Sequence, residues 1–206
     1  MKFELVLVDT NKELCCELQH SFESLEGVSI VHGSFTDVED WDCLITPGNS
    51  YGIMDGGFDL RAAKFFGPEL EPRVRSNIFA VHAGIQPVGT SLIVPTDNQN
   101  HPFLSYTPTM RVPMPIVGTI NVFLAMKAAL QTISHHNDFA GGKWRIRKVI
   151  CPGLGTATGH VSYEVAAYQM RLAYDVVSDP IARSTWEKVE EFERQLVRRP
   201  SCVNPT

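Results

Sequence analysis

No apolar run in this 206-residue sequence reaches the length that crosses a bilayer, and the stretch MKFELVLVDTNKEL has too short an apolar core for a signal peptide. A cytoplasmic location is the expectation that follows. Positive charge is not in excess. Against 18 Lys and Arg stand 23 Asp and Glu, a net charge of -5, which argues against non-specific attraction to DNA or RNA. The five cysteines (Cys15, Cys16, Cys43, Cys151 and Cys202) are odd in number and form no CxxC, so neither a disulfide framework nor a zinc site is expected. No metal and no cofactor are called for. Internal repeats, low-complexity segments and linkers are also missing, so residues 1–206 read as one domain, with 199–206 as a frayed tail.

What is present is an alternation of two periodicities. FELVLVD (3–9) is a short, nearly continuous apolar run, the pattern of a strand covered on both faces. Residues 11–25 then carry Leu14, Leu18, Phe22 and Leu25 at helical spacing, with Asn11 as N-cap. VSIVHG and DCLITPG read as strands, followed by helices over 58–66 and 70–83. Further strands are expected at 90–96, 106–113 and 145–153. The prolines of YTPTMRVP mark the second of these as an edge or irregular strand, within a long irregular piece from Pro95 to Pro115. Helices over 119–136, 162–178 and 182–198 complete the pattern. Strands alternating with helices indicate an α/β fold, a three-layer α/β/α sandwich on a mixed, mostly parallel sheet.

In such sheets ligands collect beyond the carboxyl ends of strands, where helix N-termini present unpaired amides. Two glycine-rich loops have that placement. ITPGNSYGIMDGGFD (45–59) leaves one strand and enters a helix; CPGLGTATGHVSYE (151–164) does the same. Glycines let backbone approach an anion, and successive amides form a nest for phosphate oxygens. Neither loop has the Lys-Ser/Thr ending of a P-loop or a GxGxxG pattern in the first strand–helix turn.

The run HGSFTDVEDWDCLITPGNSYGIMDGGFDLRAA resembles the signature of macro domains: a Gly-Asp-Ile-Thr turn, a strand ending in Ala-Ala-Asn, a loop closing in Gly-Gly-Val-Asp, then a helix. Asn49 falls on the loop asparagine, and Gly56, Gly57, Phe58 and Asp59 fall on Gly-Gly-Val-Asp without a gap. PGLGTATG looks like the family's second phosphate loop. The resemblance implies ADP-ribose or an ADP-ribosylated substrate as ligand, often with hydrolase activity. On that implication Asn49 and Asp59 are the catalytic candidates, Asn49 offering donor and acceptor to ribose hydroxyls and Asp59 activating water at the anomeric carbon. Ser34, Gly48, Gly56, Gly57, Phe58, Gly155, Thr156, Ala157, Thr158 and Gly159 are the substrate-binding candidates. Gly155 and Gly159 are expected to lie against phosphate, so that valine at either weakens binding far more than the fold.

The chain also departs from the family. Ser34 stands where an aspartate commonly takes the adenine amine, and Asp55 stands at a usual glycine. No extra strand shows between the last two helices, which leaves Tyr51, Phe103 and Tyr106 as candidates for stacking adenine. Beside the hydrolase reading stand two others: a non-catalytic ADP-ribose-binding module, and an assembly or accessory protein whose nucleotide site has degenerated. Plainer roles also exist for single residues. Asn49 suits a turn, Asp59 a helix N-terminus, and His160 a helix cap or an exposed surface.

Overall fold

The computed structural model describes residues 1–23, 25–179 and 185–197. Six strands form one sheet: β1 (Glu4–Asp9), β2 (Val28–His32), β3 (Cys43–Asn49), β4 (Leu92–Pro95), β5 (Phe103–Met110) and β6 (Lys148–Pro152). Their spatial order is β2-β1-β6-β3-β5-β4, with every neighbouring pair parallel except β4 with β5. The sheet is mixed and mostly parallel, as the pattern predicts.

Alternation along the strands assigns the two faces. Leu5, Leu7, Cys43, Ile45, Val149 and Cys151 point into one core with α1 (Lys12–Phe22), α4 (Asn121–Phe139) and α5 (Tyr163–Ser178). Val6, Val8, Leu44, Leu104, Tyr106 and Ile150 point into a second core with α2 (Gly57–Phe66) and α3 (Leu70–His82). Helices cover both faces, which completes the α/β/α sandwich. Two helix starts have the caps that the sequence signals: Asn11 accepts from the Leu14 amide and Ser162 from the Val165 amide. No helix among the described residues is long and apolar enough to cross a membrane.

The expected edge strand at 106–113 needs correction. β5 runs from Phe103 to Met110, is buried throughout and lies between β3 and β4. Pro108 is tolerated there because β4 pairs with residues 103–106 and ends before it, so no ladder amide is missing at that position. The irregular stretch from Pro95 to Pro115 is thereby split by a central strand. The last helix, α6, is described over Trp186–Val197; residues 182–184 and 198, the tail 199–206 and Cys202 lie outside the described residues. Among the described residues no strand lies between α5 and α6. β1 sits between β2 and β6, so the carboxyl ends of β1, β6, β3 and β5 lie side by side.

Candidate ligand cleft

Over those four strand ends opens a cavity of about 480 Å³, within the range of small-ligand sites. The loop after β3 and the loop after β6 form its two sides.

Asn49 ends β3 and braces the first loop. Its side-chain oxygen accepts from the amides of Tyr51 (3.0 Å) and Ile53 (3.4 Å), and its Nδ2 donates to the Ile53 carbonyl at 2.7 Å. Glu71 on α3 adds a second brace by accepting from the Met54 amide. Gly56 and Gly57 follow, and a Cβ placed on either meets nothing within 4 Å; Gly57 also has φ 56°, where L residues are strained. Phe58 packs on Phe35 and carries the Arg61 guanidinium over its ring at 5.2 Å.

Asp59, in the first turn of α2, is only 6% exposed, and its Oδ1 has no hydrogen-bond partner among the described residues. Burial pushes its carboxyl up to about 7; the charges of Asp55 and Glu71 add to the rise, while a hydrogen bond from Tyr106 opposes it. The carboxyl is therefore poised to hold or release a proton near neutrality. Thr109, at the end of β5, lines the same cavity with a buried hydroxyl that also lacks a partner among the described residues.

The second loop is built differently. The Ile116 amide donates to the Gly159 carbonyl, and the Val161 amide donates to the Gly155 carbonyl. Gly155 has φ 72°, and a Cβ there would lie 2.7 Å from Val122 Cγ2; one on Gly159 would lie 2.8 Å from Ile116 Cγ1. Thr156, Ala157 and Thr158 face the cavity between these buried glycines. None of the backbone amides of 155–159, nor those of 55–59, donates to an acceptor among the described residues. Two sets of unpartnered donors thus border one cavity, with a buried carboxyl between them.

Sheet order and cleft together match known structures. The macrodomain of Mycobacterium tuberculosis DarG superposes with a TM-score of 0.57 at 19% identity, covering 71% of this chain and 89% of that one. A mutant Oceanobacillus iheyensis macrodomain with ADPR superposes at 0.56 and 11% identity, covering 95% and 92%. The chain is a macrodomain by fold. Over 143 residues it is also 31% identical to an uncharacterized protein of Aquifex aeolicus (strain VF5), covering 69% of this chain and 78% of that one, and it belongs to the same family. No family model matches the chain.

In this macrodomain the cleft brings together Gly48, Asn49, Gly56, Gly57, Phe58, Asp59 and 155–159 from the sequence-based set. Ser34 is a correction. It caps a 3₁₀ turn over Phe35–Asp37, accepting from the Thr36 amide and donating its own amide to Asp37, and it does not line the cavity. Asn49 is a second correction, because its acceptor is committed to the loop and one Nδ2 hydrogen remains for a ligand. A third concerns Gly155 and Gly159, where an added side chain would strike the protein rather than the cavity. The stacking candidates also fail: Phe103 is buried against His136 and Trp144, Tyr106 is buried beneath Asn49, and Tyr51 does not line the cavity.

Four lining residues escaped the sequence reading: Asp9, Arg61, Thr109 and Tyr163. Asp9 ends β1, with its carboxylate fixed by the amides of Asn11 (2.9 Å) and Gly153 (3.3 Å). The Tyr163 hydroxyl accepts from Asn11 Nδ2 at 2.9 Å. A signal did exist for Asp9, since LVLVDTN is a third strand–turn–helix junction with its own N-cap.

Proposed function

We propose that this macrodomain binds ADP-ribose or an ADP-ribosyl derivative in the cleft and hydrolyses an ADP-ribosyl bond or a phosphate ester of ADP-ribose. The observation that carries the reading is the pair of unpartnered amide clusters at 55–59 and 155–159 around the buried Asp59. Amides recognise a diphosphate without any lysine. The solved Oceanobacillus iheyensis macrodomain with ADPR supports this choice of ligand. The diphosphate spans the two loops, the terminal ribose lies over Gly56 and Gly57 near Asp59, and the base lies towards Asp9 and Tyr163 above β1.

Asp59 then serves as the proton carrier. As carboxylate it takes a proton from the water whose oxygen bonds to the anomeric carbon; as acid it returns a proton to the leaving group when that bond breaks. Its position near 7 suits both directions. Calorimetry with ADP-ribose, AMP and ATP tests the ligand, and the expected result is heat with ADP-ribose. An absence of heat up to about millimolar ADP-ribose, the weak end of ligand affinities, overturns the reading.

One observation favours a binding module without turnover: Asn49 spends its acceptor on the loop, so Asp59 works without a second polar side chain fixed by that turn. An Asp59→Asn protein separates the two. Lost turnover with retained affinity supports the hydrolase; an ADP-ribosylated substrate left intact by the wild-type protein supports the module.

A further inference from the structure

Tyr106 contributes nothing to the lining of the cleft, yet its hydroxyl occupies the point where the elements of the reacting end meet. The residue is fully buried in the middle of β5. Its oxygen accepts from the Asn49 backbone amide at 3.1 Å and its O–H donates to the Asn49 carbonyl at 2.9 Å. The same hydroxyl lies close enough to the Asp59 carboxyl to hydrogen-bond to it. Gly48 makes this possible, because a Cβ at that position would collide with the Tyr106 hydroxyl.

A phenol has one proton to donate. Burial raises the Tyr106 pKa far above its ordinary value, so that proton stays on the oxygen throughout the working pH range. Two acceptors compete for it, the Asn49 carbonyl and Asp59. When Asp59 is a carboxylate it is the stronger acceptor; when it is protonated it is the weaker one.

We propose that Tyr106 is a positioning residue that couples the protonation state of Asp59 to the Asn49 turn. Its hydroxyl proton turns to Asp59 when that carboxyl ionises and returns to the Asn49 carbonyl when it is protonated. The turn that carries the cleft's first loop thereby senses the proton that the reaction moves. The coupling is a property of the unliganded protein; its catalytic meaning rests on the function proposed above. The other charges facing Asp59 are Asp55 from the loop and Glu71 from α3, both acidic, with Glu71 held by Arg75 at 3.8 Å, and Arg61 of α2 borders the same cavity. Tyr106 is the group that offsets those acids with a hydrogen bond.

The test is an NMR titration without ligand. In the wild-type protein the Asn49 backbone amide shift should step at the same midpoint as the Asp59 carboxyl carbon, and the step should vanish in Asp59→Asn. In Tyr106→Phe, which keeps the ring, the Asp59 midpoint should rise by about one pH unit, since a hydrogen bond that favours the carboxylate is removed. Any pH profile of turnover should move upward by the same amount. A purely structural Tyr106 would lower the melting temperature and leave the midpoint in place. A wild-type Asn49 amide that is flat through the Asp59 titration overturns the proposal, and this measurement needs no Tyr106 variant to fold. Failure to bind ADP-ribose with the coupled titration intact would instead sink the proposed function and leave the coupling standing.

Discussion

The loop after β3 is held by side chains: the Asn49 amide, the Tyr106 hydroxyl and the Glu71 carboxylate each grip its backbone, and its glycines at 56 and 57 face open space. The loop after β6 is held by its own glycines. Gly155 and Gly159 are buried against Val122 and Ile116, and the residues between them are pushed outward to the cavity. Both loops read as flexible glycine-rich turns in the sequence. The structure gives glycine two opposite uses, leaving room for a ligand in one loop and leaving room for the protein in the other. Substitution separates these uses.

The largest expected effect is on the fold. Gly155→Val places a branched side chain at φ 72° and into Val122, so destabilisation of roughly 3 kcal/mol or more is expected from strain and overpacking together. Gly56→Val has open space and an extended backbone, so its unfolding free energy should stay within about 0.5 kcal/mol of wild type while ADP-ribose affinity falls by roughly tenfold or more. Urea unfolding and calorimetry on both variants decide the matter. A well-folded Gly155→Val protein would erase the distinction between the loops.

Next comes Asp59→Asn. Turnover should fall by about 10²–10⁴-fold with affinity largely kept. Stability should move the other way. The folded carboxyl titrates near 7 and the unfolded one near 3.8, so the wild-type protein loses stability as pH rises between those values and none beyond them. The variant lacks that loss and should be the more stable protein at pH 8, by roughly 4 kcal/mol at most. Equal pH dependence of unfolding in both proteins would show that Asp59 is not strained by burial.

A smaller effect is expected at the far end of the cleft. Asp9→Asn should weaken ADP-ribose binding about fivefold by removing a charged acceptor for a base amine, and leave the affinity for ribose 5-phosphate unchanged. Equal losses for both ligands would place the base elsewhere. The smallest effect is at Ser34. Ser34→Ala should leave affinity unchanged and cost about 0.5–1 kcal/mol as a lost cap.

Much of the fold was legible because each strand and helix states its own period. β5 was misjudged because proline speaks for a local ladder, and whether that ladder extends to Pro108 depends on where β4 stops, which β4 alone decides. The cleft was legible where it is local: both loops announce themselves as glycine between strand and helix. It was illegible in two ways. A glycine signal does not say which way the missing side chain would have pointed, hence the misreading of Gly155 and Gly159. Nor does sequence proximity reveal that Asp9, Thr109 and Tyr163 meet Asn49, since the sheet order brings them there.

That sheet order also sets a sequence of events in time. β1 pairs with β6 in the register Leu5 to Val149, so the centre of the sheet closes a loop of well over a hundred residues. Such a contact is slow to form and late to be rewarded. During synthesis at about 5–20 residues per second, Asp9 and the Asn49 loop leave the ribosome many seconds before β6 exists. Until β6 inserts between β1 and β3, the two sides of the cleft belong to separate pieces of chain, and the unpaired edges of β1 and β3 stay open to wrong partners. The nascent protein thus acquires its cleft and the last strand of its sheet in one step, and no half-made chain can engage a nucleotide before its fold is complete.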